Sequence, residues 1–259
     1  MIFGFNLYTQ TAHSSEPPCP DMKSWETESP KTQFQLGEAY FGGWCQIINY
    51  PKAEKWYLKA ATAGNGKAQL RLGFLYAEKH FTGVKTDLDA AEKWFLKAAK
   101  QNVGDAQFRL GNFYLHYTKP AKIDLAEKWL LKAANNNHIT AQYDLGLLYQ
   151  NEAYKKLYDI KKSISWLTKA AGNSHYHAMI SLAQYYQKNG GLDVPLEQSW
   201  VYWAERLIME HKSTPLYWYH HVADFYKNNG VPEKAKDYYQ MAHDKGSEYA
   251  AKQLVELSP

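Results

Sequence analysis

Residues able to do chemistry are sparse in this 259-residue chain. Two close histidine groups stand out, His175 with His177 and His220 with His221. A bound metal needs a third ligand at suitable geometry, and nothing near either group in sequence supplies one. The first pair is therefore expected in an exposed turn and the second facing a helix-lined groove, with no metal site. The chain has two cysteines, Cys19 and Cys45, and no C-x-x-C pair or zinc-like spacing. In an exported protein a disulfide between them would clip the N-terminal stretch to the first helix pair. In a reducing compartment they would be two unrelated thiols, and sequence does not decide the pairing. The motifs H-E-x-x-H, G-x-S-x-G, G-x-x-x-x-G-K-[ST] and G-x-G-x-x-G are absent. The expectation is a non-catalytic protein without a cofactor.

The elements that would position any functional side chain are far more legible. The stretch from Ala106 to Thr140 reads as two short amphipathic helices joined by a loop. In its second half Ala126, Trp129, Leu130 and Ala133 fall at i, i+3, i+4 and i+7, the apolar stripe of a helix that packs on one side. Ala106, Leu110 and Phe113 mark a similar stripe in the first half. Neither helix has enough apolar surface to stand alone, so each must lean on its partner and on a neighbouring pair.

The pattern recurs. Leu36-Gly37, Leu72-Gly73, Leu110-Gly111 and Leu145-Gly146 give way to Leu182-Ala183 and Val222-Ala223, and by subtraction the small residues lie 36, 38, 35, 37 and 40 residues apart. Trp56, Trp94, Trp129, Trp166 and Trp203 keep the same beat in the second helix, with Tyr238 in the sixth place. Such a period marks a solenoid, here an all-α, right-handed α-solenoid of about six helix pairs with a closing C-terminal helix near Ala250 to Leu257. Glycine within a helix costs about 0.5–1 kcal/mol against alanine, so four at one place require close helix crossing. Gly64, Asn102, Asn137, Ser174 and Gly246 follow the second helices and are expected as left-handed stops.

Residues 1–31 are rich in Pro, Ser and Thr and read as an N-terminal extension. Its apolar start has no positive flank and is too short for a whole signal peptide. Residues 32–259 read as one continuous repeat domain. The formal charge of +4 is small and its basic residues are dispersed, which argues against nucleic acid. No apolar run approaches the roughly 20 residues of a membrane span.

Leu-Gly followed three residues on by Tyr (Tyr76, Tyr114 and Tyr149), then Ala-x-x-Trp-x-x-Lys-Ala-Ala as in Ala91 to Ala99 and Ala126 to Ala134, resembles the Sel1-like repeat, a relative of the tetratricopeptide repeat. The resemblance covers about Thr32 to Gly246 and weakens in the fifth unit, where Arg206-Leu207-Ile208 replaces Lys-Ala-Ala. It implies an adaptor, assembly factor or inhibitor that grips a protein or peptide, as a monomer or in a binary complex, in a bacterial envelope or secretion setting. Localisation is expected to be periplasmic or otherwise exported, with cytoplasmic as the alternative. In tetratricopeptide-like stacks the residue after the small one points into the concave groove. That row reads Glu38, Phe74, Asn112, Leu147, Gln184 and Asp224, and its variation within an invariant frame suits recognition. The alternative function is a periplasmic glycan- or peptidoglycan-binding or β-lactam-recognising protein using the aromatic residues as platforms. Cysteine-rich relatives have been linked to β-lactams, but regular cysteine pairs and an S-x-x-K serine are both missing here.

Overall fold

The computed structural model describes residues 29–43, 48–189 and 199–257. Among them are thirteen α-helices and no strand. They are α1 (Pro30–Gly42), α2 (Tyr50–Thr62), α3 (Gly66–Ala77), α4 (Leu88–Lys100), α5 (Gly104–His116), α6 (Ile123–Asn135) and α7 (Ile139–Gln150). The remainder are α8 (Ile160–Gly172), α9 (Tyr176–Asn189), α10 (Trp200–Glu210), α11 (Leu216–Asn228), α12 (Pro232–Asp244) and α13 (Glu248–Glu256). Six helix pairs and a closing helix agree with the period of the sequence. The first helix starts at Pro30 behind the N-cap Ser29, two residues before the expected boundary.

The contacts group into two compact units that divide between Ala106 and Gln107, in the first turn of α5. Packing between neighbours alone gives a repeat chain no core common to its whole length, and such chains divide readily between repeats. In the first unit α1 packs on α2, α2 on α3 and α3 on α4. In the second the same order runs from α6 through to α13.

The connections explain the even period. Gly64, Asn102, Asn137, Ser174 and Gly246 all have positive φ, from 59° to 91°, as their residue types and places predict. The residue after the stop then bonds back into the helix just ended: the N–H of Asn65, His138, His175 and Ser247 donates to the carbonyl of Ala60, Ala133, Ala170 and Ala242 respectively. That is the Schellman closure. The same four side chains cap the next helix, accepting from the backbone N–H of Ala68, Ala141, Ala178 and Ala250 at 2.9–3.2 Å. One residue thus ends one helix and begins another.

The helix crossings are as close as the glycines imply. A Cβ on Gly37, Gly73, Gly111 or Gly146 would come within 2.4–2.7 Å of Tyr57, Phe95, Leu130 or Leu167 on the paired helix. Trp56, Trp129, Trp203 and Tyr238 are buried, while Trp94 and Trp166 are partly covered. The lysine of each Trp-x-x-Lys lies over its indole, with Lys59, Lys97, Lys132 and Lys169 at 4.0–4.5 Å from the ring centroids. A motif lysine on an exposed face therefore has a packing role through cation–π attraction.

Polar residues of the motif join successive pairs. The hydroxyls of Tyr76, Tyr149 and Tyr226 donate to Glu54, Glu127 and Glu205 on the preceding second helix at 2.6–2.7 Å. Buried Gln69 and Gln142 donate to the carbonyls of Ala61 and Ala134 in the last turn of the ending helix, which also accept from the N–H of Gly64 and Asn137.

Candidate binding surface

The row after the small residues divides into positions locked inside the protein and positions still open. Glu38 in α1 belongs to the first group. Its carboxylate accepts from the Tyr57 hydroxyl and from Nε and Nη2 of Arg71 at 2.8 and 2.7 Å. Burial, then the neighbouring Glu38 charge, holds the Tyr57 phenol far above its ordinary value, so it remains a neutral donor.

Phe74 corrects the sequence reading. Its place in the row points it into the groove, yet it is only 9% exposed. Phe81, in the loop between α3 and α4, lies edge-on to it at 5.2 Å and also meets Phe41 and Tyr50 at 5.5 and 4.8 Å. The loop folds this ring inward, making Phe74 part of an aromatic core. Nothing in the helical periodicity announces a core residue in a loop.

In the second unit Asp224 is also satisfied, accepting from the hydroxyls of Tyr239 and Tyr249. Leu147 is partly buried and Gln184 exposed. Asn112 donates from Nδ2 to Oδ2 of Asp144 at 3.2 Å, while its own Oδ1 is buried with no hydrogen-bond partner. Burial pushes the Asp144 carboxyl up to about 6, and the Asn112 bond opposes that shift.

Asp144 was missed by sequence reading, as was Arg71. Both stand two residues before the glycine of their own repeat and meet the row residue of the preceding one. The available signal was charge at this register, in Arg71, Arg109 and Asp144.

The histidines do structural work. His175 is half-buried rather than in an exposed turn: its Nδ1 caps α9 and its ring stacks on Tyr143 at 4.6 Å. Burial, with smaller contributions from His177 and His211, lowers it to about 4. His177 is exposed. His220 pairs with the Ser247 hydroxyl at 2.7 Å, and His221 with Gln187 at 3.2 Å. Among the described residues no group of three His, Cys, Asp or Glu side chains is placed to hold a metal ion. Cys19 and Cys45 lie outside the described residues, as does the extension up to residue 28.

A cavity of about 330 Å³ lies on the second helices, lined by residues including Met209, Tyr238 and Met241. All the described tryptophans are partly or fully buried. Among the described residues no helix is long and apolar enough to cross a membrane.

Consecutive helix pairs with small-residue crossings and shared caps define an α-solenoid repeat protein. The family model described as the Sel1 repeat matches residues 30–65, 66–103, 104–138, 139–175 and 227–247, more than half of the sequence. The chain belongs to the Sel1 repeat family, whose members are generally protein-interaction scaffolds.

Among solved structures, it is similar to a Sel1 repeat protein from Oxalobacter formigenes, with 27% identity, a TM-score of 0.61, and coverage of 84% of this chain and 88% of that one. It is also similar to a protective antigen present in uropathogenic Escherichia coli strains displaying an SLR fold, with 25% identity and a TM-score of 0.66. That match covers 91% of this chain but only 50% of the antigen. No protein of curated function matches significantly.

Proposed function

We propose that this chain is a non-catalytic scaffold that holds a protein or peptide on the first-helix face of its second unit. The observation that carries the reading is the contrast within one register. Glu38, Phe74 and Asp224 are occupied by internal partners, whereas Asn112 with Asp144, Leu147 and Gln184 form a stretch of mixed chemistry that the fold leaves unpaired or only partly covered. Packing requirements account for the repeated frame and do not account for this stretch. The proposed setting is a bacterial envelope or secretion apparatus, which rests on family resemblance and is tested by fractionating the native cells.

The decisive experiment is purification of the tagged full chain from its native cell, followed by titration of any stoichiometric protein against variants. Leu147→Glu should abolish binding while the variant still melts cooperatively as a folded chain, because a charge at an interface anchor must lose the rest of its solvent in the complex. Lys128→Glu, on the exposed side of α6, should bind as the parent does. Loss of binding in Lys128→Glu with full binding in Leu147→Glu would move the surface to the second helices, and absence of any stoichiometric partner would refute the scaffold reading.

A further inference from the structure

We infer that Asp144 and Asn112 form a receptor for one cationic side chain, lysine or arginine, of the bound protein. The inference rests on the binding-face reading above and deepens it.

The chain supplies its own comparison. Wherever else an acid occupies this part of the first-helix register, several donors meet it: Glu38 accepts from a phenol and a two-pronged guanidinium, and Asp224 from two phenols. Asp144 receives a single amide N–H at 3.2 Å. A carboxylate has about four lone-pair sites, so most of its accepting capacity is unused. No lysine, arginine or histidine pairs with it among the described residues, and burial rather than any neighbouring charge dominates its environment.

The unused group on Asn112 is an acceptor too. Turning the amide over would bring its oxygen against the Asp144 oxygen, two acceptors face to face, so the bond to Asp144 fixes Oδ1 as the buried atom with no donor. Leaving that oxygen buried and unsatisfied costs about 1–3 kcal/mol by the usual range.

The missing partner must therefore bring several donors, no acceptor and positive charge. An ammonium has three such donors and a guanidinium five. An anion would be repelled, and an apolar group would leave every acceptor buried. Leu147, one helical turn beyond Asp144 on the same face and itself partly covered, would pack along the aliphatic stem of either side chain.

The test uses capped peptides of sequence Ala-Ala-Arg-Ala-Ala and Ala-Ala-Lys-Ala-Ala, with a citrulline peptide as the neutral isostere of arginine. Each is titrated into the full isotope-labelled chain while the Asp144 carboxyl carbon and the Asn112 side-chain amide are followed by NMR. Saturable shifts at both residues are expected, with affinity at least about tenfold greater for the cationic peptides than for citrulline. Asp144→Asn should remove that preference while keeping the spectrum of a folded chain.

Equal binding of the citrulline peptide, or unchanged arginine binding by Asp144→Asn, would overturn the inference. So would a response of the same two residues to calcium alone, which would make the site a metal subsite. A stoichiometric protein partner that binds Asp144→Asn as well as the parent would overturn this inference while leaving the scaffold reading intact.

Discussion

Asp144→Asn should make the protein more stable at neutral pH, an unusual outcome for the loss of a partly buried polar group. The Asp144 carboxyl lies near 6 against an ordinary 3.8 because burial disfavours its charged form. The rise from 3.8 to about 6 corresponds to about 3 kcal/mol, and the solvent that still reaches the group brings the expected figure to about 1–2 kcal/mol. The folded chain holds this proton more tightly than the unfolded chain. The stabilising contribution is therefore complete below about 3.8 and is lost as pH rises through 6. Asparagine carries no charge at any of these pH values, and its amide can donate to the unpaired Oδ1 of Asn112.

Thermal melts at pH 7.5 should show Asp144→Asn unfolding about 2–6 °C above the parent, by the usual conversion for a domain of this size. At pH 4 the difference should shrink towards zero. The lowered value of His175 acts in the opposite sense over a similar range, so the difference between the two proteins at each pH isolates Asp144. A variant that melts below the parent at pH 7.5, or a gain as large at pH 4 as at 7.5, would refute the reasoning. In the first case Asp144 would be serving the fold rather than held in reserve for a ligand, the exchange of stability for function expected of a binding site.

Trp129→Ala should cost about 3–5 kcal/mol in a denaturant titration, because Trp129 is 6% exposed and carries the Lys132 ammonium 4.5 Å from its ring centroid. A loss below about 1 kcal/mol would show that the ring is not a packing element. Phe74→Glu should destabilise the first unit by at least about 3 kcal/mol, since it places a charge within the aromatic cluster around Phe81. Retention of the parent melting curve would return Phe74 to the open surface. His175 is lowered to about 4, so its contribution is complete above the ordinary 6.5 and is lost as pH falls from there through 4. His175→Asn keeps a capping acceptor without the titration, and melts from pH 7.5 to 4 should show a shallower acid limb than the parent's.

The local parts of this protein could be read from sequence because each depends on residues close together in the chain. The Leu-Gly places required close crossings whatever the neighbouring helix turned out to be, and a Cβ on Gly111 would indeed lie 2.7 Å from Leu130. Asn102, Asn137 and Ser174 could be expected at positive φ because a helix stop is decided within a few residues. The repeat period then carried these local facts through six helix pairs.

Tertiary structure alone decided which side chains on the first-helix face remain open. Glu38 is closed by Arg71, 33 residues away, and Phe74 by a ring from a loop with no helical period to place it. Asp144 gained its character from a missing neighbour: where Arg71 answers Glu38, the next unit sets an acid against an asparagine. Periodicity places a residue on a face, but desolvation and hydrogen-bond satisfaction depend on every group that the packed neighbours bring to that face.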